Sequence, residues 1–205
     1  MTDDLERRLA EGAPAPLALD VERLRTDLAR RAADAGLLDI AYGTLDSPLG
    51  ALTAFVTPDG LVRLSYPGEP IDRQLADLAA QVSPRILAAP ERTDGVRREL
   101  DEYFAGVRQA FDLRIDWRLL GGFREAVLRA TAAIPFGSVS SYREIATAAG
   151  SPNAYRAAGN ALGSNPIPIV VPCHRVLHAG GGLGGYTGGL DRKRYLLGLE
   201  GVLDA

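Results

Sequence analysis

A change of hydrophobic period is the feature that most constrains how this chain can fold. From Ile40 to Tyr66 the sequence reads as three short strands separated by the turn sequences SPLG and TPDG. Helical spacing follows at 71–81 and 94–107, and residues 111–117 again place apolar side chains at every second position. This order predicts an α+β domain with a small antiparallel sheet over residues 40–117.

Residues 118–205 have a different, mostly helical pattern. Ser141 and Glu144 form a capping box, which predicts the start of one short helix. Ser151–Pro152 supplies a cap and a first-turn proline for the next helix. Two short helices across a tight turn at Gly150 are typical of a helix-turn-helix, although many helical hairpins with this pattern bind nothing.

Residues 1–39 are predicted to be an extension outside both domains. Four apolar residues recur there at helical spacing, namely Leu17, Val21, Leu24 and Leu28. The pattern predicts one amphipathic helix that ends before Gly36.

Composition excludes several classes of protein. No apolar run approaches the roughly 20 residues that span a bilayer, and no signal-peptide pattern is present. One cysteine cannot form an internal disulfide, so we expect a cytoplasmic protein. One cysteine and two histidines are too few for a structural zinc site, so we expect no metal.

The charge is unevenly distributed between the two halves of the chain. Residues 1–117 hold 14 basic and 21 acidic side chains, a balance of −7, whereas residues 118–205 hold 9 and 5, a balance of +4. A basic module beside an acidic one favours local attraction to phosphate. The segment NAYRAAGNALG (153–163) adds a helix of small residues around Arg156. Small residues allow either close packing inside the protein or entry into the DNA minor groove, which is about 6 Å wide.

The only cysteine, Cys173, lies in the sequence VVPCHRV. A lone cysteine is most often a small buried hydrophobic residue. If Pro172 ends an apolar strand or extended segment, however, Cys173 begins a helical turn, and the helix dipole then favours the thiolate. His174 could act as its base through a water molecule, and Glu200 is the best-placed carboxylate to orient that histidine.

The segments NPIPIVVPCHRVL and GGYTGGLDRKRYLLGLEG resemble the active-site region of the O6-alkylguanine-DNA alkyltransferases. The resemblance extends back through FGSVSSYREIA and RAAGNALGSNP, and so covers residues 118–205 strongly. Residues 40–117 match only in the order of their strands and helices. The resemblance implies a ribonuclease H-like first domain and a winged-helix-like second domain with a helix-turn-helix.

The resemblance also implies roles for individual residues. Cys173 would accept the alkyl group, and His174 and Glu200 would activate the cysteine thiol. Asn165 would brace the turn before Cys173, and Tyr142 would donate to guanine N3. The implied substrate-binding residues are Tyr186, Thr187, Val176, Lys193 and Leu162. The implied DNA-binding residues are Arg156, Ala154, Ala157 and Tyr142. The family has serine where this chain has Thr187, but the implied contact is made by the main-chain N–H.

The function that the resemblance implies is direct repair of double-stranded DNA carrying O6-alkylguanine, and of O4-alkylthymine as well. The protein would bind through the minor groove as a monomer, flip out the damaged nucleotide and transfer its alkyl group once to Cys173, without a cofactor. In a bacterium it would be associated with the nucleoid. Three alternatives stay open: a cysteine hydrolase or acyl transferase, a non-catalytic lesion sensor, and a helix-turn-helix regulator.

Overall fold

The computed structural model describes residues 21–203, with side chains from residue 23 onward. Its first helix, α1 (Val21–Asp34), confirms the predicted amphipathic helix. Leu17 lies outside the described residues, while Leu24 and Leu28 are 53% and 56% exposed. The helix packs on the sheet through Ala29 instead, which is buried.

The first half of the chain contains a four-stranded sheet in the order β3-β2-β1-β4. Its strands are β1 (Ile40–Leu45), β2 (Leu52–Thr57), β3 (Gly60–Ser65) and β4 (Ile86–Ala88). The first three are antiparallel as predicted, but β4 pairs with β1 in parallel, so the sheet is mixed. The parallel pairing follows from the connection, because helix α2 (Ile71–Gln81) carries the chain back across the sheet before β4.

The alternating apolar pattern at 111–117 predicts a strand, and this prediction is wrong. That segment forms a single bridge, Leu61 with Ile115, and then a 3₁₀ turn. Two segments share the outer edge of β3. The 111–117 segment pairs with Leu61, and farther along the edge the N–H of Leu64 donates to the carbonyl of Pro166 at 2.8 Å. The second half of the chain thus occupies the edge that a longer strand would need.

The two faces of the sheet have different neighbours. One face buries Phe55 and Val62 under Leu78 of α2. The other face contributes to one large core, which includes α3 (Asp94–Phe104) and continues into the second half of the chain, where it includes Cys173. None of the helices over residues 21–203 combines the length and the apolar character that a membrane span requires.

The second half consists of helices and one two-stranded pair. The helices are α4 (Gly122–Ala132), α5 (Tyr142–Ala148), α6 (Tyr155–Gly163) and α7 (Leu190–Leu199), and the strands are β5 (Ser140–Ser141) and β6 (Val176–Leu177). The capping box is confirmed, since the Ser141 hydroxyl accepts from the Glu144 N–H and the Glu144 carboxylate accepts from the Ser141 N–H. Helix α6 begins later than predicted. Residues 151–154 form a separate turn, closed by the Ala154 N–H on the Ser151 carbonyl.

The segment before the cysteine is a buried turn, where the sequence favoured a strand or an extended stretch. The N–H of Val171 donates to the carbonyl of Ile167 at 2.9 Å, and Ile169 has a φ of 73°. Pro166 and Pro168 lack N–H donors, which prevents a regular ladder here. The turn therefore sets where Cys173 lies.

Candidate active site

Cys173 occupies the first position of a single 3₁₀ turn, Cys173–Arg175, and is 7% exposed. This residue lines a cavity of about 690 Å³. Asn165 donates from Nδ2 to the sulfur at 3.2 Å and to the carbonyl of Val171 at 2.8 Å. One amide group thus fixes both the turn and the thiol that follows it.

Burial raises the pKa of the Cys173 thiol, although the hydrogen bond from Asn165 and the charge of Lys193 act in the opposite direction. The lowered pKa expected from a helix N-terminus is therefore wrong in direction. A single 3₁₀ turn has little dipole, and the apolar core around the sulfur disfavours its charged form. The resting cysteine is a protonated thiol, so its reaction requires a base.

His174 and Glu200 form a buried pair with Nε2 of the imidazole 2.8 Å from Oε1 of the carboxylate. Burial alone would raise the pKa of Glu200, but hydrogen bonds from His174 and Arg175 lower it to about 2. An ionised carboxylate only accepts, so Nε2 carries the proton and Nδ1 has a free lone pair. Burial also lowers the pKa of His174, so the imidazole is neutral at pH 7. Within the described part of the chain, Nδ1 has no hydrogen-bond partner. Nδ1 is therefore the atom of this imidazole that can accept a proton.

Two residues that the sequence did not indicate complete this buried network. Arg175 donates from Nε and Nη2 to the two oxygens of Glu200, both at 2.9 Å, and its Nη1 donates to the carbonyl of Ile134. Tyr103, from α3 in the first half, donates its hydroxyl to Oε1 at 2.7 Å. No local pattern could have identified Tyr103, since it lies 97 positions from its partner.

The cavity wall brings together six of the predicted site residues from four segments of the chain: Tyr142, Arg156, Leu162, Cys173, Tyr186 and Thr187. Tyr142 is half-buried, and burial raises the pKa of its phenol, which keeps the hydroxyl protonated. His174 and Glu200 lie behind the cysteine and do not line this wall.

Lys193 and Val176 also lie behind the cysteine and are absent from the cavity wall. The Lys193 side chain is fully buried and donates from Nζ to the carbonyls of Val176, at 2.7 Å, and Leu183. Burial lowers the pKa of this ammonium to about 8. The carbonyl of Val176, one of the residues that the resemblance implies for substrate binding, therefore already accepts one hydrogen bond.

The small residues of α6 serve two purposes. Ala158 and Ala161 are buried against neighbouring helices, whereas Ala157 and Arg156 are exposed and Ala154 is half-buried. Beside them Tyr155 is 40% exposed, with the guanidinium groups of Arg143 and Arg156 at 5.6 and 5.8 Å from its ring centre. Neither arginine forms an ion pair with any residue that the structure describes. The sequence did not single out Tyr155 or Arg143.

The glycine-rich loop, residues 179–189, closes one side of the cavity. A Cβ at Gly184, which has a φ of +67°, would lie 2.6 Å from the Tyr142 hydroxyl, so only glycine fits there. The Thr187 hydroxyl donates to the carbonyl of Gly163 at 2.5 Å. That bond joins the loop to the end of α6. His178, directly before the loop, also lies on the wall, with its ring centre 5.2 Å from that of Tyr142.

The fold joins an α+β domain to a helix-turn-helix domain, and the second domain holds a buried Cys-His-Glu site. These two features together define a DNA-binding protein class with a candidate cysteine nucleophile. Residues 40–117 match the family model described as "6-O-methylguanine DNA methyltransferase, ribonuclease-like domain", and residues 122–202 match the corresponding DNA binding domain. The chain belongs to the 6-O-methylguanine DNA methyltransferase family.

Individual relatives agree with this membership. The chain is 44% identical over 161 residues to a methylated-DNA–protein-cysteine methyltransferase of Mycolicibacterium paratuberculosis, covering 78% of this chain and 92% of that one. It is 47% identical over 160 residues to one of Methanosarcina acetivorans, covering 78% and 97%. Among solved structures, Mycobacterium tuberculosis OGT in complex with DNA superposes with a TM-score of 0.66 at 41% identity, covering 78% and 92%.

Proposed function

We propose that this protein repairs DNA by moving an alkyl group from O6 of guanine to its own Cys173. One observation carries the proposal: the only cysteine of the chain lines a cavity of about 690 Å³ beside the helix-turn-helix. That volume is in the range of small-molecule sites and accommodates a single base. The relatives named above are methyltransferases that act on methylated DNA, which supports the same reaction here.

The chemistry is a displacement at the alkyl carbon. His174 takes the thiol proton on Nδ1 through a water molecule, and Glu200 stabilises the imidazolium. The thiolate sulfur forms a bond to the alkyl carbon, the bond from that carbon to O6 breaks, and its electron pair remains on the guanine. Asn165 and the charge of Lys193 stabilise the sulfur anion as it forms.

Several groups would hold the base. Tyr142 would donate to guanine N3 and so stabilise the leaving anion. The main-chain N–H of Thr187 would donate to O6, and the carbonyls of Cys173 and Val176 would accept from the exocyclic amine. Leu162 and Tyr186 line the same cavity as Cys173.

The depth of Cys173 implies base flipping. A cysteine that is 7% exposed cannot bring its sulfur to a base inside the duplex stack, so the nucleotide must leave the helix. Arg156 would occupy the space that the nucleotide vacates, and the small side chains of Ala154 and Ala157 would let α6 approach the minor groove.

We propose residues 40–117 and 118–205 as the two domains. We also propose that the protein is a monomer that acts on DNA in the cytoplasm, at the nucleoid.

The reaction would occur once for each protein molecule. The product is a thioether at Cys173, which is a poor electrophile, and the chain has no second cysteine to remove the alkyl group. The protein itself is the acceptor, so no cofactor takes part.

Intact mass spectrometry tests the proposal. Mixing the protein with an oligonucleotide duplex that carries O6-methylguanine should add the mass of one methylene to the peptide containing Cys173, at one per protein. Cys173→Ala should gain no mass while retaining DNA binding. Unmodified Cys173 after complete repair would refute the proposal, and sustained turnover of a model ester by the wild type would favour a cysteine hydrolase.

A further inference from the structure

Tyr66 follows β3 in the first half of the chain, yet it lies at the active site in the second half. The Leu64 N–H binds the carbonyl of Pro166, which fixes the end of the strand next to the turn that holds Asn165. Tyr66 points to the same face of the strand as Leu64, and both side chains are buried in the core that contains Cys173.

The hydroxyl of Tyr66 lies 2.6 Å from the hydroxyl of Tyr186, and the two rings meet edge to face with their centres 6.2 Å apart. Burial raises the pKa of both phenols, so each keeps its proton at neutral pH. Only one of the two phenol protons lies between the two oxygens. When Tyr66 is the donor, the proton of Tyr186 stays free for another acceptor.

Cys173 and Tyr186 are neighbours on the wall of the large cavity. Burial raises the pKa of the thiol, while the Tyr186 hydroxyl, as a hydrogen-bond donor, is among the groups that lower it. A small opening of about 50 Å³ is lined by all three residues, Tyr66, Tyr186 and Cys173. The opening is large enough for a water molecule and too small for a substrate, so the three residues around it position the sulfur and do not bind substrate there.

The neighbouring loop is built around this tyrosine pair. Gly188 is buried, and a Cβ there would lie 2.6 Å from the Tyr66 ring and 2.9 Å from the Tyr186 ring. The guanidinium of Arg192 lies 4.7 Å from the centre of the Tyr66 ring, and its Nη1 donates to the Gly188 carbonyl at 2.8 Å. Tyr66 is thereby held on two sides.

We propose that Tyr66 is a positioning residue for alkyl transfer: it donates to the Tyr186 hydroxyl and so directs the proton of Tyr186 at the Cys173 sulfur. The first domain thus takes part in activating the nucleophile of the second. This inference rests on the proposed function, because it assigns a means of stabilising the thiolate that the reaction uses.

The test compares Tyr66→Phe with wild type in the rate of Cys173 alkylation by free O6-benzylguanine across pH. Free base is used so that DNA binding and flipping do not contribute. Loss of one hydrogen bond should slow the reaction near neutral pH roughly two- to tenfold and move its pH profile to higher pH. Tyr42→Phe is the matched control, because Tyr42 is a tyrosine of the same sheet whose ring stacks on Phe55, and it should react like wild type.

The double variant Tyr66→Phe/Tyr186→Phe should react no more slowly than Tyr186→Phe alone, because Tyr66 acts through Tyr186. The melting temperature of each variant separates stability from reactivity. A Tyr66→Phe profile that superimposes on wild type, or losses that add in the double variant, would overturn the inference. Failure of the wild type to be alkylated by either the free base or methylated DNA would instead refute the proposed function.

Discussion

Arg175 and Glu200 form a buried two-point ion pair, with Nε on Oε2 and Nη2 on Oε1, each at 2.9 Å. The Glu200 carboxylate also accepts from His174 and from Tyr103. One side chain therefore connects the cysteine turn, the end of α7 and α3 of the first half. Its removal should affect both catalysis and stability.

Glu200→Gln should slow alkyl transfer and destabilise the protein. The imidazolium of His174 loses its counter-ion, and the buried guanidinium of Arg175 loses its charged partner, which costs on the order of 3 kcal/mol in the free energy of unfolding. Urea unfolding and single-turnover rates measure the two effects. An unchanged rate would remove Glu200 from the mechanism, and Glu125→Gln, which breaks an exposed ion pair with Arg129, is the control for a general loss of charge.

The stability supplied by Glu200 should disappear in acid. Its pKa is about 2 in the folded protein against about 4.5 when unpaired, so its contribution is complete above pH 4.5 and is lost as the pH falls towards 2. The difference in unfolding free energy between wild type and Glu200→Gln should thus shrink by about 2 kcal/mol from pH 6 to pH 3. The contributions of the other carboxylates to the unfolding free energy are the same in both proteins and cancel in this comparison. A difference that stays constant with pH would show that the carboxylate is not held in its ionised form.

Arg156→Ala should reduce repair of duplex DNA by at least about tenfold and leave reaction with free O6-benzylguanine unchanged, because only the duplex requires extrusion of a nucleotide. Arg143→Ala is the matched comparison, since Arg143 approaches the same Tyr155 ring from α5. It should weaken DNA binding generally and lower the salt dependence by about one phosphate contact. Equal losses on both substrates for Arg156→Ala would assign it to packing or chemistry.

Thr187→Val should loosen the glycine-rich loop, because the isosteric side chain cannot donate to the Gly163 carbonyl. We expect a two- to tenfold lower rate of alkyl transfer, the effect of about one hydrogen bond, and faster amide exchange over residues 179–189. Thr187→Ser keeps the donor and should behave like wild type. If Thr187→Ser slows the transfer and Thr187→Val does not, the methyl group and not the hydroxyl determines the behaviour of the loop.

Local patterns predicted the local parts of the structure. The capping box at Ser141 and the three strands from Ile40 depend on neighbours within a few positions, and both are confirmed. The turn before Cys173 was harder, because its apolar residues also suit a strand, and only the missing donors of Pro166 and Pro168 favour a turn. The role of each candidate site residue stays a prediction.

Contacts between the two halves could not be predicted from the sequence. Tyr103 and Tyr66 are ordinary core aromatics by their spacing, and their hydroxyl partners lie 97 and 120 positions away. The raised pKa of Cys173 also depends on contacts that are distant in the sequence. The sequence shows that a helical turn starts there, but the burial that outweighs it depends on the whole core.

Lys193 gives this protein an internal reporter of local opening. It is the only lysine in the sequence, and its amine is fully buried against two carbonyls directly behind the cysteine turn. Amine-reactive labels therefore cannot reach it unless that region opens, while thiol-reactive labels have a single target at Cys173. When the labelled positions are assigned by peptide mapping, the two reagents distinguish access to the sulfur from disruption of the structure behind it, and no engineered probe is needed.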